Sequence, residues 1–253
     1  MIQVSIIGSG NVAHHLINAF SHESEIKLVQ VFSRKPEAIA GIISSDKIIS
    51  DYNQLESVDV IIIAVSDDAI SDVSNQITLQ NQLVVHTSGS VNMEALNDKN
   101  RKGVFYPLQT FSKSKAVDFK IIPVCLEAQN DSDYETLDAV AKSISEVIYK
   151  VNSEQRKALH VAAVFVSNFV NHLYQMGNEI CAENHLSFDI LKPLIQEVAD
   201  KIITLTPKEA QTGPAKRNDT QTINAHLSFL TDENQKEIYK LLTKSIIDHG
   251  KKL

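Results

Sequence analysis

The chain opens with a short apolar run that stops abruptly on glycine: Ile2-Gln3-Val4-Ser5-Ile6-Ile7, then Gly8-Ser9-Gly10-Asn11-Val12-Ala13. A helical pattern follows, with Val12, Leu16 and Phe20 on one face. Strand, glycine turn and helix in this order is what a dinucleotide diphosphate needs. Gly8 supplies the tight turn. Gly10 keeps the backbone bare where a diphosphate would approach, and Ala13, in the third small-residue position, lets the helix lie close to the strand. The helix N-terminus offers free N–H groups and partial positive charge. Gly8, Ser9, Gly10, Asn11 and Val12 are therefore candidate cofactor contacts. The competing reading is a glycine turn in another kind of α/β protein, a methyltransferase for example.

Strand-like and helix-like runs alternate through the first half. Strands are expected over residues 27–32, 59–65, 82–86, 103–106, 121–126 and 147–151, and helices over 36–43, 68–77 and 133–145. The run Val60-Ile61-Ile62-Ile63 is continuously apolar, as in a strand covered on both faces. This alternation predicts an α/β fold with a doubly wound, mostly parallel sheet and helices on both sides. The pattern changes near Asn152. Beyond it the spacing is helical: a long helix capped by Ser153 and running to about residue 184, then 188–205, a short helix over 219–230, and 232–248, with a loop over 206–218. The expected organisation is a nucleotide-binding domain over residues 1–151 and an all-helical domain over residues 152–253.

Net charge is −7 with no basic block, which argues against nucleic acid or an anionic membrane surface as the main partner. Cys125 and Cys181 lie far apart without metal-like spacing, so reduced thiols, no metal and a cytoplasmic protein are expected. The opening apolar run is too short, and lacks the basic flank, for a signal peptide. No segment has the length of a membrane span.

After the second predicted strand stands Phe32-Ser33-Arg34-Lys35, where an NAD-preferring site usually has an acidic residue. A hydroxyl and cations suit a 2′-phosphate, so Ser33, Arg34 and Lys35 point to NADP(H) over NAD(H). The bland alternative is a pair of solvated charges. Two later strand ends, Val65-Ser66-Asp67-Asp68 and His86-Thr87-Ser88-Gly89-Ser90, make Val65, Ser66, Ser88 and Gly89 further cofactor candidates. Both also read as helix caps or turns. Tyr106 and Gln109 are candidates for a substrate-pocket floor or a packed aromatic loop. His160, Ser167, Asn168 and Asn171 fall on one face of a helix apolar nearly all round, which is therefore expected to be central. They form either a satisfied structural network or the wall of a cleft. Arg217, in the 206–218 loop, suits a substrate carboxylate or a cofactor phosphate, unless that loop is exposed and Asp219 merely caps the next helix.

Gly8-Ser9-Gly10-Asn11-Val12-Ala13, the two later strand ends, Tyr106-Pro107-Leu108-Gln109-Thr110-Phe111, Leu159-His160-Val161-Ala162-Ala163 with Asn168-Phe169, and Thr212-Gly213-Pro214 together resemble one bacterial family. It is the Rossmann-like and DUF2520 domain-containing family, which pairs an NADP domain with a helical domain of unknown function and whose members often carry NADP-oxidoreductase labels. More distantly the layout resembles the 6-phosphogluconate dehydrogenase group, which includes β-hydroxyacid dehydrogenases, pyrroline-5-carboxylate reductase and ketopantoate reductase. The resemblance implies a 6-phosphogluconate dehydrogenase C-terminal-like helical domain and a homodimer formed through it. It also implies NADP(H)-dependent hydride transfer to or from a small polar metabolite: a carbonyl, imine or hydroxy acid. Several of those relatives use a Lys four residues before an Asn on the first helix of the second domain. Asn168 fits that Asn, but Val164 occupies the Lys position. His160, one turn earlier on the same face, would be the replacement acid or base on this reading, and Asn168 would orient the reacting atom. Tyr106 stands where prephenate dehydrogenase-like relatives have His. The missing Lys leaves open a non-catalytic NADPH or ligand sensor, and fold analogy alone suggests deazaflavin-linked hydride transfer.

Overall fold

The structure is a computed structural model that describes residues 1–251. Its first part runs β1 (Ile2–Ile7), α1 (Asn11–Ser21), β2 (Ile26–Phe32), β3 (Ile48–Ile49), β4 (Val60–Ile63), α2 (Ile70–Gln76), β5 (Leu83–His86), β6 (Arg101–Pro107), β7 (Val124–Ala128), α3 (Asp131–Ile144) and β8 (Ile148–Lys150). The eight strands form one sheet in the order β3-β2-β1-β4-β5-β6-β7-β8. Every pairing is parallel except β6 with β7. Growth of the sheet reverses direction between β1 and β4. In doubly wound sheets ligands bind outside the carboxyl ends of the strands at such a switch point.

Side chains along β4 alternate between the two faces. Val60 and Ile62 join Val4, Ile6, Leu16, Phe20 and Phe105 on the side of α1 and α3. Ile61 and Ile63 join Ile7, Val84, Ile70 and Ile77 on the side of α2. Burial on both faces is the reason the strand is apolar throughout.

One expectation in this part of the chain needs correction. Residues 36–43 do not form a helix: Pro36 to Ala38 make one 3-10 turn, and Gly41 takes φ +91°. The chain then reaches the two-residue edge strand β3, which is too short to leave a periodic signal.

The helical part comprises α4 (Ser153–Ala163), a π-helical stretch (Val164–Phe169), α5 (Val170–Glu183), α6 (Lys192–Thr204), α7 (Pro207–Ala210), α8 (Pro214–Arg217), α9 (Thr220–Phe229) and α10 (Glu233–Lys251). The single helix expected after residue 152 thus carries a π insertion, and the expected 206–218 loop holds two short helices. Asn152, not Ser153, is the cap of α4. Its side chain accepts from Gln155 N, and Gln155 Oε1 accepts from Asn152 N in return. Ser153 is free to turn elsewhere.

The chain divides into two compact units, one from Met1 to Ser167 and the other from Asn168 onward. The strands end at Lys150, but α4 belongs to the sheet's unit, so this division falls after Ser167 and not at residues 151/152 as read from sequence. The expectation that the apolar helix lies centrally is not met within one chain: Val161, Phe165, Val166 and Phe169 are half or more exposed. A helical pattern reports apolar surface, not the partner that covers it. Among the described residues no helix is long and apolar enough to cross a membrane.

Candidate active site

The turn after β1 is built for something outside the chain. Gly8 takes φ +137°, and a Cβ there would lie 2.1 Å from the Ala64 carbonyl oxygen. Only glycine fits. Gly8 N bonds Phe32 O at 2.9 Å and Ala64 N bonds Ile7 O at 2.8 Å, so the turn sits at the switch point. Gly10 precedes α1 in extended conformation, and no side chain caps the helix. A Cβ on Gly10 would meet nothing within 4 Å.

A cleft of about 600 Å³ opens at this turn. Gly8, Ser9, Gly10, Asn11 and Val12 line one end, Ser33, Arg34 and Lys35 another, and Val65 and Ser66 border it at the end of β4. Ser33 is buried, its Oγ accepting from Lys35 N at 3.1 Å and donating to Lys35 O at 2.9 Å, which holds the Arg34-Lys35 corner. Arg34 and Lys35 are exposed, and among the described residues neither is in an ion pair. Tyr52 stacks on Phe32 with ring centroids 4.0 Å apart and also walls the cleft; the sequence reading missed it. An uncapped helix end, an open glycine turn and unspent cations fit a phosphorylated dinucleotide.

Ser88 and Gly89 do not line that cleft. They form a tight loop after β5, the strand beside β4. Ser88 Oγ accepts from Ser90 N at 3.1 Å and Val91 N at 3.0 Å, so the hydroxyl serves its own loop. Ser90 Oγ donates to the Asp67 carboxylate, joining the loops after β4 and β5.

The loop is also fastened from α4. Arg156 is fully buried. Its Nε donates to Ser88 O at 3.1 Å, and its guanidinium nitrogens reach Val91 O and the Glu127 carboxylate of β7. Glu127 also accepts from Ser153 N at 2.9 Å and from Ser153 Oγ. A buried ion pair persists when further hydrogen bonds satisfy both partners, as here.

His160 lies one turn beyond Arg156 and rests on Gly89. A Cβ on Gly89 would stand 2.5 Å from His160 Nδ1 and 2.8 Å from Tyr106 Cζ, so only glycine admits both rings. Tyr106 Oη and His160 Nδ1 are 3.1 Å apart, and the rings meet edge-on at 6.1 Å. Burial pushes the Tyr106 phenol up to about 12, the neighbouring Cys125 adding to this and Arg156 opposing it. Burial likewise raises the Cys125 thiol. It lowers His86 to about 4, with Arg156 adding to the effect, while the Asn92 backbone and Asp67 oppose it. His86 Nδ1 accepts from Ser88 N at 3.2 Å.

The remaining candidates are elsewhere. Gln109 is exposed, its Oε1 accepting from Thr110 N at 2.8 Å. Asn168, Asn171 and Arg217 are exposed residues of the second unit. Asp219 caps α9, accepting from Thr222 N at 3.1 Å. Arg156 and Glu127 were not singled out from sequence. The available signal was Glu127 itself, a charge at the end of the apolar strand Val124-Cys125-Leu126. Among the described residues no three His, Cys, Asp or Glu side chains gather as a metal site requires.

A model described as "Domain of unknown function (DUF2520)" matches residues 122–246, and one described as "NADP oxidoreductase coenzyme F420-dependent" matches residues 3–89. A Bacteroides fragilis protein of known structure, described as a "putative NADP oxidoreductase", is 38% identical over 98% of both chains, with a TM-score of 0.88. The chain belongs to the Rossmann-like and DUF2520 domain-containing family. Its fold also recurs in protein TM1727 from Thermotoga maritima, 21% identical over 98% of each chain with a TM-score of 0.75. Pyrroline carboxylate reductase from Plasmodium falciparum, solved with NADP bound, is 16% identical over 99% of this chain and 97% of that one, with a TM-score of 0.63. These two similarities establish shared architecture. A search of curated proteins gives no match.

Proposed function

We propose that the chain is an NADP(H)-dependent oxidoreductase acting on a small polar metabolite: a carbonyl, an imine or a hydroxy acid. The observation that carries this reading is the bare glycine turn at the switch point, opening into a cleft that ends in Arg34 and Lys35, neither of which is in an ion pair among the described residues. When bound, the nicotinamide would supply or accept the hydride. Backbone N–H groups from Gly10 to Val12 would hold the diphosphate and Arg34 and Lys35 the 2′-phosphate, with Ser33, whose hydroxyl is spent on Lys35, fixing their corner rather than touching the phosphate. The family to which the Bacteroides fragilis protein also belongs supports the cofactor. The F420-dependent model matches only residues 3–89, so it supports the nucleotide half and no particular hydride partner.

Proton movement falls to His160. It stands at the end of β5, one strand from the cleft, on a loop tied to the β4 end through Ser90 and Asp67. Histidine is suited to exchange protons near neutrality. Asn168 as the group that orients the reacting atom, and Gln109, Asn171 and Arg217 as substrate contacts, rest on the sequence pattern. A homodimer through the helical region would cover the apolar side chains of α6, where Leu194, Val198 and Ile202 are more than half exposed at intervals of one turn. A cytoplasmic location is part of the same reading.

The test is NADPH oxidation over a panel of keto acids, aldehydes and cyclic imines, beside a fluorescence titration of NADPH. Turnover of one class, lost in His160→Ala with NADPH affinity kept, is the expected result. Tight NADPH binding without turnover on any of them favours a sensor, the reading that Val164 in place of the relatives' Lys already keeps in view.

A further inference from the structure

We infer that Tyr106 is a positioning residue that fixes His160 as the tautomer protonated on Nε2, so that the site takes a substrate whose reacting atom is a hydrogen-bond acceptor, a C=O or C=N group. The inference rests on the oxidoreductase reading and narrows its substrate class to the reductive direction.

The argument starts from the phenol. Tyr106 is buried, and its ring packs in a small apolar cluster with Met93, Val104 and Cys125. Among the described residues its one hydrogen-bond partner is His160 Nδ1, at 3.1 Å. Burial holds the phenol protonated throughout the working range. Its O–H proton therefore needs an acceptor, and leaving a buried donor unmade is costly. The acceptor at hand is a Nδ1 lone pair. A neutral imidazole that accepts at Nδ1 carries its proton on Nε2.

The opposite arrangement would put the proton on Nδ1, donating to the phenol oxygen. Nε2 would then bear the lone pair that a base needs to remove a proton from a hydroxyl or an amine. That arrangement strands the phenol proton. Nε2 makes no hydrogen bond among the described residues, so nothing else among them selects the tautomer. The ring has little freedom to escape the choice, because Gly89 touches both rings and Arg156 secures the same loop. In the reductive direction the proton on Nε2 would pass to the acceptor atom as a hydride from NADPH reached the carbon. Nδ1 would take the Tyr106 phenol proton, so that the ring stays neutral, and the phenol would regain its proton from water. The C=O or C=N π pair becomes the new N–H or O–H bond, and NADPH is oxidised to NADP.

The test reads the tautomer directly and needs no substrate. Imidazole-¹⁵N-labelled protein is examined by long-range ¹H–¹⁵N correlation at about pH 8.5, about two units above the ordinary histidine value, where imidazoles are neutral. The His160 signals are assigned by their loss in His160→Gln. Nδ1 at an acceptor shift and Nε2 at a protonated shift are expected, and Tyr106→Phe should give an averaged tautomer pair with NADPH affinity unchanged. Protonated Nδ1 in the wild type overturns the inference while an intact NADPH titration leaves the oxidoreductase reading standing. A tautomer unaltered in Tyr106→Phe also overturns it. Failure of the wild type to bind NADPH removes the reading beneath it, whatever the tautomer. In turnover, Tyr106→Phe is expected to lower kcat with KM little changed, and a pure loss in KM would contradict a positioning role.

Discussion

Two glycine turns sit at the same edge of the sheet, and they have opposite surroundings. After β1, the space beside Gly10 is open. After β5, the space beside Gly89 is filled by two rings of the chain itself, His160 and Tyr106. In the first turn, bareness leaves room for a molecule the protein does not contain. In the second, it lets two polar rings approach a strand end and stay there. A glycine motif read from sequence cannot separate these uses, because both look like a break after an apolar strand. The surroundings separate them, and they predict different consequences for stability and binding.

The largest expected effect belongs to the filled turn. Arg156→Ala leaves the partly buried Glu127 without its cation and releases the Ser88 carbonyl, so a loss of about 3 kcal/mol is expected. Urea denaturation measures it. A change near zero would mean that the filled turn is not held from α4. The open turn is sharpened next. Arg34→Glu should weaken NADPH by about 1.5–3 kcal/mol, roughly ten- to a hundredfold, with NADH much less affected. Equal losses for both nucleotides would remove the 2′-phosphate assignment.

A pH effect comes third and again probes the filled turn. His86 has its folded value lowered from 6.5 to about 4. The unfolded chain therefore binds the proton more readily, and stability is lost as pH falls through 6.5 toward about 4. Between pH 7 and pH 5 this one group should cost about 2 kcal/mol. Denaturation midpoints at the two pH values test it, and His86→Gln should flatten the slope. The smallest effect lies away from both turns: Asp219→Ala should cost about 1 kcal/mol through loss of the α9 cap, with NADPH binding unchanged. A large loss of binding there would return the 206–218 region to the site.

Most of the sheet was legible because its signals are local. Apart from the two-residue β3, the strands are apolar-rich runs, β4 continuously so, and the β1 turn with its cleft-facing residues is contiguous in sequence. Arg34 and Lys35 were legible from position alone, one turn past a strand end. What escaped was non-local. Arg156 looks like an ordinary charge near a helix start, and its partner Glu127 comes from β7, the strand that enters the sheet antiparallel. The Tyr106–His160 pair joins residues 54 apart in the chain, so each was named without the other. The apolar helix was misread as central because periodicity records which surface avoids water and not which chain covers it. The cap shifted from Ser153 to Asn152 because both residues are good caps and only the Glu127 contact decides between them.

The most direct test of the account is a calorimetric titration of NADPH into the wild type and into Gly10→Val. Valine at Gly10 meets no atom of the chain within 4 Å at its Cβ and sits at an ordinary φ of −73°, so the variant should unfold at the wild-type midpoint. The account predicts that the wild type binds NADPH and that the folded variant does not. Absence of heat in the wild type, or equal binding by the two proteins, would contradict it.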